Sequence, residues 1–158
     1  MIQEETEADR WEVETLYDLS FAPGRELLSS YRLRNGVAPV PGLCLVARDC
    51  GAVAGAIRYW PVRVGGHPVL LLGPVAVHPT RQGEGFGAYL IQESLVRATD
   101  QGHARVMLVG DAPYYGRFGF RRLRDVEMPP PTNPDRVLGL DLRPGTWDGV
   151  TGPVTRAE

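Results

Sequence analysis

The run Leu72-Gly73-Pro74-Val75-Ala76-Val77-His78-Pro79-Thr80-Arg81-Gln82-Gly83-Glu84-Gly85-Phe86-Gly87 holds a strand, a break in that strand and a turn into a helix. Residues 69–77 have the aliphatic, β-branched content of a strand. Proline inside a strand removes a ladder donor and marks a bulge or an edge, so Gly73-Pro74 predicts a bent backbone. The polar loop that follows opens a helix over 87–101. Gly87, Leu90, Ile91, Ser94, Leu95 and Ala98 share one face of it, and Gly102 ends it. Residues 105–109 are almost wholly apolar, the pattern of a central strand. Residues 69–109 therefore read as a strand–helix–strand unit with parallel strands and a right-handed crossover.

Outward from this unit the elements are shorter. Upstream lies a short edge strand at 2–6 and then a helix at 8–20 with Trp11, Val13, Leu16 and Tyr17 as its apolar stripe. A second helix is expected from Pro23 to Tyr31 or Leu33. Residues 43–47 and 52–61 form a hairpin about Asp49-Cys50-Gly51. Downstream come a short helix at 113–118, a strand at 120–126, an irregular proline-rich stretch at 128–134 and a strand at 136–142. The sum is a mixed α+β domain over residues 1–145, with 146–158 as a loose tail.

Composition narrows the function classes. The chain has 158 residues, 43% hydrophobic and 23% charged, with a net charge of −2. That balance gives no footprint for nucleic acid or an anionic membrane. All 17 basic residues are arginine, which points to a GC-rich bacterial genome and excludes self-modification on lysine. Cys44 and Cys50, too few and too far apart along an extended strand for a disulfide framework, read as free thiols of a cytoplasmic protein. The polar start carries no export signal, and no apolar run is long enough to span a bilayer. No cluster of His, Cys and carboxylates has metal-ligand spacing, so no metal is expected.

The loop 81–87 carries the chemistry. Gly83, Gly85 and Gly87 let a ligand approach the backbone, and the helix start offers unpaired N–H groups and a positive dipole end. Those features suit a phosphate or pyrophosphate, with Arg81 as an added cation. A P-loop would need a lysine that is absent, and a dinucleotide fingerprint would need Gly-x-Gly-x-x-Gly. Gln82-Gly83-Glu84-Gly85-Phe86-Gly87 fits a third pattern, Gln/Arg-x-x-Gly-x-Gly/Ala, that of a coenzyme A pyrophosphate loop.

From Leu70 through Phe120 the chain resembles the GNAT superfamily of N-acetyltransferases, most closely its small single-domain members of the YhbS type. The resemblance rests on Leu72-Gly73-Pro74-Val75-Ala76-Val77-His78-Pro79, the Gln82 loop, Val106-Met107-Leu108-Val109-Gly110-Asp111 and Tyr114-Tyr115-Gly116-Arg117-Phe118-Gly119-Phe120. It implies an acyl-CoA N-acyltransferase-like fold, in which a mostly antiparallel twisted sheet carries one splayed parallel pair. It also implies acetyl-CoA as cosubstrate, an amine acceptor and direct attack in a ternary complex. The pantetheine arm would lie along Val75, Ala76 and Val77. The pyrophosphate would meet Gly83, Gly85, Phe86 and Gly87, with Arg81, Gln82 and Tyr114 nearby. Tyr115 matches the tyrosine that many members use as general acid. The resemblance also admits a homodimer, with residues 136–142 as a candidate interface.

The match departs from the pattern at one point. Some members carry a glutamate base near position 71, where this chain has Leu70, Leu71 and Leu72. His78, Glu84 and Asp111 are the remaining titratable candidates, while His67 and His103 read as surface residues. Trp11 and Tyr17 read as core. Arg117, Arg121, Arg122 and Arg124 form either a solvated face or a pocket rim. The missing carboxylate keeps open a second function class, an acyl-CoA-binding sensor without chemistry.

Overall fold

The computed structural model describes residues 1–20, 33–34 and 36–157. The helix expected from Pro23 lies outside the described residues. The elements are β1 (Ile2–Glu4), α1 (Arg10–Ser20), β2 (Leu45–Asp49), β3 (Ala52–Val64), β4 (His67–Val77), α2 (Phe86–Asp100), β5 (Arg105–Val109), α3 (Ala112–Gly116), β6 (Arg121–Arg122), β7 (Val126–Glu127), β8 (Val137–Asp141) and β9 (Gly152–Arg156). The sheet runs β1-β2-β3-β4-β5-β8-β6, antiparallel at every step except β4–β5. This is the expected α+β architecture, with β4–β5 the parallel step of this path; the short β7–β9 pair, off the path, is also parallel.

Local chemistry explains the hairpins. Asp49 pairs with Ala52, which leaves Cys50-Gly51 as a two-residue turn with φ of 53° and 79°. Such turns match the twist of the flanking strands and require left-handed backbone at both positions. In β3–β4, Ile57 faces Val75 and Tyr59 faces Leu72, so two residues, Gly73 and Pro74, oppose Arg58 alone. The bulge predicted from Gly73-Pro74 is therefore present, and side-chain alternation resumes beyond it.

The sheet separates two apolar layers. On one face α2 lays Leu90, Ile91 and Ala98 over Leu45, Ile57, Tyr59, Leu70, Leu72, Val106 and Leu108. On the other, α1 packs Val13, Leu16 and Tyr17 against Val46, Ala56 and Ala76. Full burial of each large aliphatic side chain contributes about 1.5–3 kcal/mol. Tyr59 is sealed in the first layer, where its hydroxyl and that of Ser94 stand 2.7 Å apart.

Three expectations need correction. Trp11 is 79% exposed rather than core. The buried stripe of α1 is Val13, Leu16 and Tyr17, and Trp11 sits two residues before it, about 200° round the helix. Residues 146–158 are not a loose tail as far as they are described: β9 pairs with the end of β3 and with β7, and Trp147, Val150 and Val154 are buried. Because β2 stops beside Ile57, the far half of β3 has a free edge that β9 fills. The single strand expected at 120–126 is divided into β6 and β7, with Asp125 in left-handed backbone (φ 61°) between them.

A buried ion pair ties α1 to the hairpin. Asp9 receives hydrogen bonds from the Thr6 amide (2.8 Å) and from Arg48 (2.5 Å). The Arg48 guanidinium and the Thr6 amide hold its carboxyl below the usual carboxylate range. A carboxylate with a depressed folded pKa adds stability that is complete above its unfolded value of about 3.9 and is lost as pH falls through the folded value. Asp9→Asn is expected to cost roughly 1–3 kcal/mol at neutral pH. The gap between wild-type and variant melting temperatures should close as pH falls below about 4. A gap that persists unchanged at low pH would contradict the assignment.

Candidate acyl-CoA site

The parallel ladder of β4 and β5 is short. Only Leu70–Val106 and Leu71–Met107 pair, although β4 continues to Val77 and β5 to Val109. Beyond Leu71, β4 keeps β3 on one side and, among the described residues, pairs with no strand on the other. Backbone polar groups there need partners other than a strand, which side chains, water or a ligand can supply. The bulge at Gly73-Pro74 begins just beyond the last of these pairs.

Side chains hold the bulge in place. The Trp60 indole N–H donates to the Gly73 carbonyl at 2.8 Å, and Arg34 reaches the same oxygen at 3.4 Å. The Tyr17 hydroxyl donates to the Pro74 carbonyl at 3.2 Å. Opposite the bulge, Arg58 is gripped by Glu5 (2.8 and 3.1 Å) and Glu14 (2.5 Å) and lies over the Tyr17 ring. Tyr17 is core, as expected, but its hydroxyl reaches the bulge. Sequence reasoning missed Trp60, Arg34 and Arg58, because these contacts span up to tens of residues and leave no local spacing signal.

At the mouth of the opening, the glycine loop enters α2. Gly83 (φ 84°) and Gly85 (φ 87°) sit in left-handed backbone that side-chain-bearing residues rarely adopt. The Tyr89 amide is the first of α2 to bond back, to the Gly85 carbonyl. The amides of Gly85, Phe86, Gly87 and Ala88 are thus the unpaired start of the helix. They face a cavity of about 420 Å³ whose lining includes Val77, Gln82, Gly83, Tyr114 and Arg117. Gly87 is close to both walls: a Cβ there would stand 3.4 Å from Val77 Cγ2 and 3.7 Å from the Tyr114 hydroxyl.

Of the residues singled out in the sequence, Val77, Arg81, Gln82, Gly83, Gly85, Phe86, Gly87 and Tyr114 meet at this one cavity. Val75 and Ala76 do not line it; they lie on the strand leading to it, with Ala76 buried against α1. Tyr115 also lies off it. Its ring packs edge-on to Tyr114 and Phe120 at 5.0 and 6.0 Å between centroids. Gly110, at the end of β5, makes room for that ring: a Cβ there would come within 2.6 Å of it. Burial first, then Tyr114, push the Tyr115 phenol up to about 12; Arg136 opposes them, and Asp111 adds the least.

The remaining candidates separate clearly. His78 Nδ1 accepts the Thr80 amide at 3.2 Å and lies 2.8 Å from the Thr80 hydroxyl, capping the turn after β4. Leu70, Leu71 and Leu72 are buried, so β4 carries no carboxylate. Asp111 is exposed at the start of α3. Arg121 pairs with Asp141 and Arg122 with Asp135, on the far side of β8. Arg117 alone of the basic run lines the cavity, with its guanidinium 4.4 Å over the Tyr114 ring. β8 lies between β5 and β6, and β6 pairs with its Leu138 and Gly139. Among the described residues no His, Cys and carboxylate group could hold a metal ion, and no helix is long and apolar enough to cross a membrane.

Arg81 has company that the sequence did not reveal. Its guanidinium bonds Asp49, from the β2–β3 turn, and Glu84, at 2.9–3.1 Å. Arg81 in turn lowers the Glu84 carboxyl below its ordinary value. Two carboxylates thus offset the cation beside an anion site. Glu84→Gln is expected to tighten acetyl-CoA binding about threefold, and with Asp49→Asn about tenfold, both gains shrinking in high salt. Titrations at two ionic strengths check this; weaker binding in the double variant would contradict it.

Comparison with known proteins agrees with this geometry. The family model described as acetyltransferase (GNAT) family matches residues 8–120. A curated relative from Escherichia coli K12, named an uncharacterized N-acetyltransferase, YhbS, is 31% identical over 122 residues, covering 76% of this chain and 72% of the relative. The crystal structure of E. coli YhbS in complex with CoA superposes with a TM-score of 0.85 at 30% identity, covering 100% of this chain and 89% of that one. A GNAT family acetyltransferase from Brucella melitensis, in complex with acetyl-CoA, gives a TM-score of 0.75 at 31% identity over 99% and 95% of the two chains. A splayed parallel pair, a bulged strand and a glycine loop at a helix start stand together in a chain that the two solved structures cover nearly end to end and the family model matches over residues 8–120: the chain belongs to the GNAT family of acetyltransferases and is an N-acetyltransferase.

Proposed function

We propose that the protein transfers an acyl group, acetyl in the first instance, from acyl-CoA to a primary amine by direct attack within a ternary complex. The observation that carries this is the cavity at the start of α2, with its unpaired amides, which meets β4 at Val77, past the end of the β4–β5 ladder. In this reading the pyrophosphate sits on the amides of Gly83, Gly85, Phe86 and Gly87. Arg117, Arg81 and Gln82 flank it, and the pantetheine runs along Val75, Ala76 and Val77. The bound CoA and acetyl-CoA of the E. coli and Brucella relatives support it by similarity.

The neutral amine attacks the thioester carbonyl, the C–S bond breaks, and sulfur leaves with the electron pair. Tyr115 donates a hydrogen bond to that sulfur. A simple thiol has a pKa of about 8.5. Complete proton transfer from a phenol near 12 to a thiolate is therefore uphill by about 3.5 pKa units, close to 5 kcal/mol. Tyr115 acts chiefly as a donor to developing negative charge, and the proton lost by the attacking nitrogen finally neutralises the thiolate. With leucines at 70–72, no carboxylate on β4 takes the acceptor's proton, and an acceptor that arrives neutral or loses its proton to water needs none.

The test is release of free CoA thiol from acetyl-CoA with a panel of primary amines, with mass detection of the acylated product. Amine-dependent release above hydrolysis supports transfer. Tight acetyl-CoA binding with no release for any amine would overturn catalysis in favour of an acyl-CoA sensor.

A further inference from the structure

The molecule has a second opening at the opposite end of the same strand pair. It lies where β4 and β5 begin, whereas the acyl-CoA site lies where they end. Its volume is about 600 Å³, within the range of small-molecule sites. The walls come from residues 38–41, the far half of β3, the start of β4 and the turn 102–105. Pro39, Pro41, Pro61 and Pro68 supply much of the wall and bring no amide donors. With Val62, Val69 and Leu70, they make the surface mainly apolar.

Among the described residues the charged side chains on this wall all have one sign: Arg63, Arg105 and Arg143 line the cavity, and no described carboxylate does. None of the three is in an ion pair among the described residues. Their guanidinium groups are held by carbonyls instead. Arg105 donates to Pro68 at 2.7 Å and Thr146 at 2.8 Å, Arg143 to Gly102, and Arg63 to Gly66 at 3.2 Å. Pro68 and Gly102 themselves line the cavity, so the Arg105 and Arg143 head groups sit at its wall. One Arg105 nitrogen, Nη2, has no partner among the described residues. Burial lowers the Arg105 pKa, only partly offset by Asp141. Carbonyls fix these groups in place without cancelling their charge.

We propose that this cavity is a binding site, separate from the acyl-CoA site, for a small amphipathic carboxylate: an apolar chain against the proline and aliphatic wall, with its carboxylate on Arg105 and Arg143. An uncharged ligand would leave the guanidinium charge uncompensated, and a wholly polar anion would gain nothing from the wall. The site does not depend on the proposed acyl transfer.

Calorimetric titration of the full chain with octanoate tests the site, with octanol as the uncharged control. Saturable one-site binding of octanoate is expected, with octanol at least about tenfold weaker. Arg105→Gln and Arg143→Gln should each weaken octanoate about tenfold and leave acetyl-CoA binding unchanged. Arg143 is exposed on a turn, so its variant decides the matter if Arg105→Gln fails to fold. No octanoate binding at millimolar concentration, equal binding of octanol, or unaltered octanoate affinity in the folded variants would overturn the proposal.

Discussion

Replacing Tyr115 by phenylalanine is expected to lower kcat about 100-fold, the loss typical of one well-placed donor, while acetyl-CoA affinity stays within about twofold. Tyr115 lies on α3, outside the phosphate cavity, so its loss should be felt in turnover and not in cofactor binding. The ring itself remains, and its contacts with Tyr114, Phe118 and Phe120 hold the short α3 helix in place. pH gives a second readout. Burial favours the neutral phenol, so Tyr115 should keep its proton until pH approaches about 12. An alkaline loss of kcat at lower pH would then belong to another group and should persist in the phenylalanine variant. Full turnover by Tyr115→Phe with acetyl-CoA binding intact would remove Tyr115 from the mechanism.

Gly87→Glu should weaken acetyl-CoA binding at least about 100-fold, close to 2.7 kcal/mol. The side chain would enter the cavity from the first turn of α2, near Val77 and Tyr114, with ordinary contact distances to both. Its carboxylate would take the helix amides that a pyrophosphate needs and would repel that pyrophosphate. The same charge at a helix start favours the helix, so the melting temperature should hold or rise. Weak binding in a protein of undiminished stability separates a blocked anion site from a damaged fold. Unchanged affinity would mean that the ligand, if any, binds elsewhere.

Much of this architecture can be read along the chain because its key features are local. Gly73-Pro74 announces a bulge from two adjacent residues, and the spacing of Gly83, Gly85 and Gly87 announces a loop that a phosphate can approach. The periodicity of α2 and the two-residue turn at Cys50-Gly51 are likewise local. What escaped depends on distance in sequence. Trp60, Arg34 and Tyr17 converge on the Gly73 and Pro74 carbonyls only after the sheet and α1 assemble. Asp49 reaches Arg81 from another hairpin. The last strand looked like a tail because Gly152–Arg156 has little apolar content; its place is set by the free edge of β3 and by the burial of Val154. Trp11 shows the reverse case, an apolar residue two positions off the buried stripe and therefore in solvent.

Calorimetric titration of the purified protein with acetyl-CoA, run beside dephospho-CoA and NAD, tests the central claim most directly. The account predicts saturable one-to-one binding of acetyl-CoA in the micromolar range, little binding of NAD, and loss of the signal in Gly87→Glu. No binding of acetyl-CoA or of longer acyl-CoAs by the folded protein would contradict it.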